Sequence, residues 1–355
     1  MIEAEDSSGD TEHRMTRINH RITLARRPTG LPDREDFAFV EAPVAPLAEG
    51  EMLVRNRVLA MDAAIRGFLD DRPSYLPPVA IGEVVRGMML GEVVESRVDG
   101  FAPGDIVRAL AGWEDYSILT ADALGMEKLK IADRDQMSLQ MGTLGPSGLT
   151  AYVGLFAIGQ IKPGDVVAIS AAAGAVGNVA GQIARLTGCR TIAIAGGADK
   201  GALCRDLGFD AVIDYRAPGA LADKIAQAAP EGVDVYFDNV GGEILDTMLP
   251  QMRDFGRIVV CGMIANYNNA DDQYPIRNLW QLLVKRVTMR GFLTYDHPEY
   301  LGEAQSRIGE WVRTGALRPL ENISHGLSAT PDAFIRLMQG RTTGKTVVCL
   351  DPADA

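Results

Sequence analysis

Cysteine and histidine are scarce in this sequence, four of each in 355 residues. Cys189, Cys204, Cys261 and Cys349 stand singly, with no C-x-x-C pair and no histidine beside them to complete a metal-ligand set. That excludes a disulfide scaffold and a clustered zinc site, and it suggests free thiols in a reducing, cytoplasmic compartment. His13, His20, His297 and His325 fall in the N-terminal tail, near the start of the chain and in late loops, so none is a candidate for metal or catalytic duty. Long apolar runs are also missing. The longest, such as DVVAISAAAGAVG, are short and broken by glycine, and no signal segment opens the chain, so no membrane partner is expected. Positive charge is in deficit as well: a net charge of -12 would repel a phosphate backbone, which argues against nucleic acid as a partner.

What is present is ordinary globular composition, 47% hydrophobic and 23% charged, in a chain long enough for two cores. Residues 1–15 are acidic and nearly devoid of apolar side chains, and read as a mobile tail. From Arg17 to about Leu144, short β-branched runs alternate with Gly/Pro turns, the texture of a compact β-rich domain. From Lys162 the pattern becomes strand, turn, helix, repeated: VVAIS, TIAIAG, AVIDY, VDVYFDNV, RIVVCGM and VTMRGF each precede a helical or looped stretch. Continuous apolar strands alternating with helices predict an α/β domain with a doubly wound parallel sheet covered on both faces. After Gly315 short segments return, which would fit back onto the first domain.

VVAIS runs directly into AAAGAVGNVAGQIARL, so Ala172, Gly174, Ala175, Val176 and Gly177 occupy the strand-to-helix turn where a dinucleotide fingerprint must sit. Small residues there let backbone N–H groups approach a pyrophosphate lying on the helix N-terminus. At the end of the next strand, where NAD-specific folds carry an acid, the chain has Gly196 and Gly197, followed by Lys200. An acid would repel a 2′-phosphate, so its absence favours NADP(H). Asp199 falls where a helix N-cap is expected. Lys200 competes with an ordinary exposed helix lysine, and Tyr215, ending AVIDY, is a candidate for stacking or phosphate contact against an edge aromatic.

The strings LGPSGLTAYVGL, SAAAGAVG, GFDAVIDY, VDVYFDNVGG, VCGMIANYN and MRGF resemble the zinc-independent medium-chain dehydrogenase/reductases, in particular the group of leukotriene 12-hydroxydehydrogenases, 15-oxoprostaglandin 13-reductases, alkenal double-bond reductases and curcumin reductases. The resemblance runs from about Arg27 to Leu350. It implies a Rossmann domain over 145–315, a GroES-like β-rich domain formed by 16–144 and 316–355, and a homodimer. It also implies hydride transfer from NADPH to the β-carbon of an enone or enal, with Tyr267 near the nicotinamide and the substrate carbonyl. Lys200 and Tyr215 would meet the 2′-phosphate end, and Asn239 would lie beside the cofactor. Two stretches depart from the pattern. Where relatives commonly read D-P-x-M-R-G, this chain reads Asp62-Ala63-Ala64-Ile65-Arg66-Gly67; where they tend to carry G-x-N-x-G-K, it has Gly340-Arg341-Thr342-Thr343-Gly344-Lys345, leaving Thr342 in place of a cofactor-contacting asparagine.

Without a Lewis acid, reducing an isolated ketone is less natural than reducing a conjugated C=C, whose growing charge is delocalised as an enolate. A small conjugated carbonyl is therefore the expected substrate, with Tyr267 as hydrogen-bond donor to its oxygen. A quinone reductase and a catalytically silent NADP-binding partner protein are the competing readings. Tyr75, Arg66 and Trp113 are the substrate-side candidates, Arg66 being equally a partner for a nearby carboxylate, and Trp113 with Tyr116 leaning to packing.

Overall fold

The structure, a computed structural model, describes residues 17–351 apart from 73, 75, 132–135 and 269–271. The acidic tail and Tyr75 thus lie outside the described residues. VVAIS forms β1 (Val166–Ser170), buried along its whole length as a strand covered on both faces must be. Five further parallel strands follow: β2 (Arg190–Ala195), β3 (Ala211–Asp214), β4 (Val233–Asp238), β5 (Met252–Val260) and β6 (Thr288–Gly291). Their order across the sheet is β3-β2-β1-β4-β5-β6. That is the dinucleotide-binding arrangement, with the order reversing between β1 and β4.

Both faces are packed. On one, helices Pro146–Val153, Ala175–Leu186 and Pro298–Arg313 lay Tyr152, Ala180, Ile183, Ala304 and Ile308 against Val167, Ile169 and Phe237. On the other, Ile225 of helix Leu221–Ala228 and Leu245 and Met248 of helix Gly242–Met248 cover Ala168, Ile194 and Tyr236. Gly181 sets how closely helix Ala175–Leu186 approaches its neighbours, because a Cβ there would overlap the ring of Phe209. Gly181→Ala is expected to destabilise the protein by about 1–3 kcal/mol through overpacking, read as a fall of several degrees in Tm. An unchanged Tm would show that Phe209 relaxes freely.

The β-rich domain is a mixed sheet ordered Glu321–His325, Lys345–Cys349, Glu51–Met61, Arg86–Ser96, Ile106–Gly112, Glu127–Leu129, with Tyr116–Thr120 also pairing to Glu51–Met61. The C-terminal strand enters this sheet antiparallel to the N-terminal one, Thr346 facing Met61. Both chain ends therefore build one GroES-like domain around the Rossmann domain. Among the described residues, no helix is long and apolar enough to cross a membrane.

Candidate active site

Ligands of open α/β sheets bind beyond the carboxyl ends of the strands, at the point where strand order reverses. Here that crevice lies between the ends of β1 and β4, and a dense hydrogen-bond set fixes it. Asp238, wholly buried, accepts at Oδ1 from Ser170 Oγ at 3.0 Å, Tyr236 Oη at 2.8 Å and the backbone N–H groups of Val240 and Gly241, both at 3.0 Å. Burial pushes its carboxyl above the usual carboxylate range, against the pull of those donors. Asn239 locks to the same serine, giving its backbone N–H to Ser170 Oγ at 2.9 Å and its side-chain amide to the Ser170 carbonyl at 2.7 Å. Sequence reasoning singled out Asn239 but passed over Ser170 and Asp238, although both stand in the motif strings. The signal was there in the two strand ends.

The turn after β1 opens with Ala171 at φ 47°, a left-handed conformation costly for any residue but glycine. Gly174 is the N-cap of helix Ala175–Leu186 and makes no side-chain cap bond, so the N–H groups over Ala175, Val176 and Gly177 are available to an anion. A Cβ at Gly177 would run into the Ala171 carbonyl oxygen, and Ala172 and Ala173 are buried beneath. The cradle is thus one that only small residues can form.

At the end of β2, a Cβ on Gly196 would come within 2.8 Å of both the Tyr215 ring and Arg216 Nε. The Arg216 guanidinium lies 5.6 Å from the centre of the Tyr215 ring. Lys200, on helix Ala198–Asp206, donates from Nζ to the Gly340 carbonyl at 2.7 Å. Burial, with Arg216 adding repulsion, lowers the Lys200 ammonium pKa. Two cations held close together beside an aromatic face fit a multiply charged phosphate. The nearby acid, Asp214, is turned to backbone: Gly197 and Arg216 N–H groups each donate to its Oδ1 at 2.9 Å and hold its pKa below the usual range. Arg216 was missed from the sequence, though its place directly after AVIDY offered the clue. The N-cap of Ala198–Asp206 is Gly197, not Asp199, which sits in the first turn.

The C-terminal segment closes over this surface. Gly344 N–H donates to the Ala173 carbonyl at 2.8 Å, and Gly344 bridges to Gly174. Thr342, between that bond and the Lys200–Gly340 bond, is buried.

Beyond β5, Cys261 and a short helical turn, Ile264–Tyr267, bring a tyrosine back to the strand end. The Tyr267 oxygen accepts from the Met263 N–H at 3.3 Å, and a Cβ on Gly262 would lie 3.5 Å from it and 3.3 Å from the Asn239 carbonyl. Accepting a bond occupies a lone pair and leaves the hydroxyl proton to be donated. Burial, with Cys261 and Asp238 close by, raises the Tyr267 pKa, and burial pushes the Cys261 thiol up to about 12.

Two substrate-side expectations need correction. Trp113 is wholly buried in the β-rich core, its ring 5.6 Å from those of Phe37 and Phe334, so it cannot touch a ligand in the cleft. Arg66 is buried and committed within its own domain, to Asp70 at 2.6 Å and to the carbonyls of Pro28 and Gly30. Among the described residues, no group of three or more His, Cys, Asp or Glu side chains could hold a metal ion.

Two family models match, described as the N-terminal domain of oxidoreductase over residues 20–127 and zinc-binding dehydrogenase over residues 175–308. The chain is 40% identical over 341 residues to the NADPH-dependent curcumin reductase of Escherichia coli (strain K12), covering 93% of this chain and 96% of that protein. It is 34% identical over 336 residues to the NADP(+)-dependent 2-alkenal reductase of Nicotiana tabacum, covering 93% and 97%. The crystal structure of CurA from Vibrio vulnificus in complex with NADPH superposes with a TM-score of 0.88 at 38% identity, covering 94% of this chain and 99% of that one. With the reversed strand order, the glycine cradle and these matches along nearly its whole length, the chain belongs to the zinc-independent branch of the medium-chain dehydrogenase/reductases.

Proposed function

We propose that this protein is an NADPH-dependent double-bond reductase acting on α,β-unsaturated aldehydes and ketones. The observation that carries the reading is the Tyr267 hydroxyl, held at the strand-end crevice with its oxygen accepting from the Met263 N–H and its proton free to donate. Relatives named as a curcumin reductase and a 2-alkenal reductase support it. When bound, NADPH supplies the hydride that adds to the β-carbon. Gly174, Ala175, Val176 and Gly177 would hold its pyrophosphate over the helix N-terminus, with Ala172 beneath, Asn239 and Thr342 alongside, and Gly196, Lys200, Tyr215 and Arg216 around the 2′-phosphate. Tyr267 donates a hydrogen bond to the carbonyl oxygen as that oxygen becomes enolate-like, which lowers the barrier where charge develops, and a proton from water or Tyr267 then adds to the α-carbon to complete the saturated carbonyl. Because its pKa lies above the ordinary tyrosine value of 10, the hydroxyl stays protonated throughout the neutral range, and kcat should show no Tyr267-linked loss between about pH 6 and 9.

NADPH absorbance followed with a 2-alkenal, an aryl enone, a quinone and a saturated ketone tests the proposal. The alkenal and the enone should be consumed fastest, and more efficiently with NADPH than with NADH. Preference for the quinone or the saturated ketone would overturn the substrate class.

We further propose a homodimer joined through β6, the open edge of the parallel sheet, which is exposed at every residue. Leu279, Trp280, Leu283, Val284 and Met289, on and beside it, are all exposed, an apolar patch unusual on a monomer. Light scattering at micromolar concentration should give twice the chain mass, falling to one chain in Trp280→Arg/Leu283→Arg. A monomeric wild type would refute it. Cys189, Cys204 and Cys261 are free thiols, in keeping with a cytoplasmic location.

A further inference from the structure

Where the two domains meet, a cavity of about 640 Å³ is walled on one side by Met88, Leu124 and Met126 of the β-rich domain. Leu149 and Thr150 of helix Pro146–Val153, and Tyr295 just beyond the carboxyl end of β6, form the other side. It has the size of a pocket for an extended small molecule, far more than a three- or four-carbon enal would fill. Most of its wall is apolar, but one end is polar and already balanced. The Arg108 side chain, 4% exposed, donates from Nη1 to the Gln140 carbonyl at 2.7 Å and from Nη2 to Glu127. Glu127 accepts a second bond, from Gln305 Nε2 at 3.1 Å. Asp122 also lines the cavity, so among the described residues the lining carries one excess negative charge and its guanidinium is already neutralised.

We propose that this cavity receives the far end of the substrate and selects long conjugated carbonyls with an uncharged tail over those ending in a carboxylate. The proposal rests on the enone-reductase reading and narrows it. An apolar chain or aryl group is desolvated against the methionine and leucine side chains. A terminal hydroxyl finds acceptors and donors in Glu127 and Gln305, whereas a carboxylate meets a net negative wall with, among the described residues, no free cation to answer it.

Two surface-accessible substitutions test it. Leu124, 44% exposed, can be enlarged without disturbing a core. Leu124→Trp should raise KM for a ten- to twelve-carbon 2-alkenal by about tenfold while leaving that of a four-carbon enone unchanged, since a ligand loses affinity only where its own contacts are blocked. The wild type should prefer a long neutral enone to its ω-carboxylate analogue by about tenfold or more in kcat/KM, and Glu127→Gln should shrink that preference by removing one like charge. Calorimetric binding of long saturated ketones, neutral and carboxylate-ended, to the NADPH-loaded protein should show the same order without turnover. Equal use of both tails, or a Leu124→Trp effect identical on short and long substrates, overturns the proposal. Length-dependent ketone binding without reduction of any enone would overturn the enone reading instead, and leave the pocket standing.

Discussion

Tyr267→Phe is expected to lower kcat on a good enone by on the order of 10²-fold, the scale of losing one donor to a developing oxyanion. The substitution removes one oxygen from a ring that packs partly against the β-rich core, so the fold and the packing of the turn should persist. The Met263 N–H loses its acceptor, a modest loss in a turn that other backbone bonds still hold. The diagnostic is therefore a split: kcat falls, while the NADPH dissociation constant and the binding of a saturated ketone change little. A fall confined to KM would mean that the hydroxyl binds ground state and transition state alike, and unchanged turnover would remove Tyr267 from the mechanism.

The second large effect concerns the cofactor. Lys200→Ala/Arg216→Ala should weaken NADPH binding on the order of 10²-fold or more, as two charge-assisted contacts of roughly 1.5–3 kcal/mol each imply, and leave NADH binding nearly unchanged. Among the described residues neither cation is committed to a carboxylate partner that would be stranded by the change: Lys200 donates a hydrogen bond to a carbonyl, and Arg216 lies against Tyr215 and Gly196. Fluorescence titration with both dinucleotides reads the result directly. Equal weakening toward NADH would show that the pair shapes the site generally and does not read the 2′-phosphate.

How much could be read beforehand depended on how local each feature is. The cofactor turn was legible because strand, small-residue turn and helix follow one another within about twenty residues, and each obeys its own backbone rule. The doubly wound sheet was legible for the same reason, repeated along the chain. The choice between cleft and packing stayed open for Arg66 and Trp113 because nothing in a linear string says whether a guanidinium finds Asp70 and two carbonyls within its own domain, or whether an indole lies between Phe37 and Phe334. The interdomain cavity lay beyond sequence reasoning altogether. Met88, Thr150 and Gln305 share it although long stretches of chain separate them, and only the meeting of the two domains brings them together.

The C-terminal segment from Gly340 to Gly344 touches the Rossmann domain at two places, Ala173 in the turn and Lys200 beyond β2. Lifting it breaks two hydrogen bonds, a cost of about 1–3 kcal/mol, and a barrier raised by that much slows exit by roughly 5- to 150-fold. Such a strap is a timekeeper. It would lengthen the dwell of whichever cofactor form lies beneath it, so that the pace of a cycle would be set in part by two backbone carbonyls far from the atoms that react.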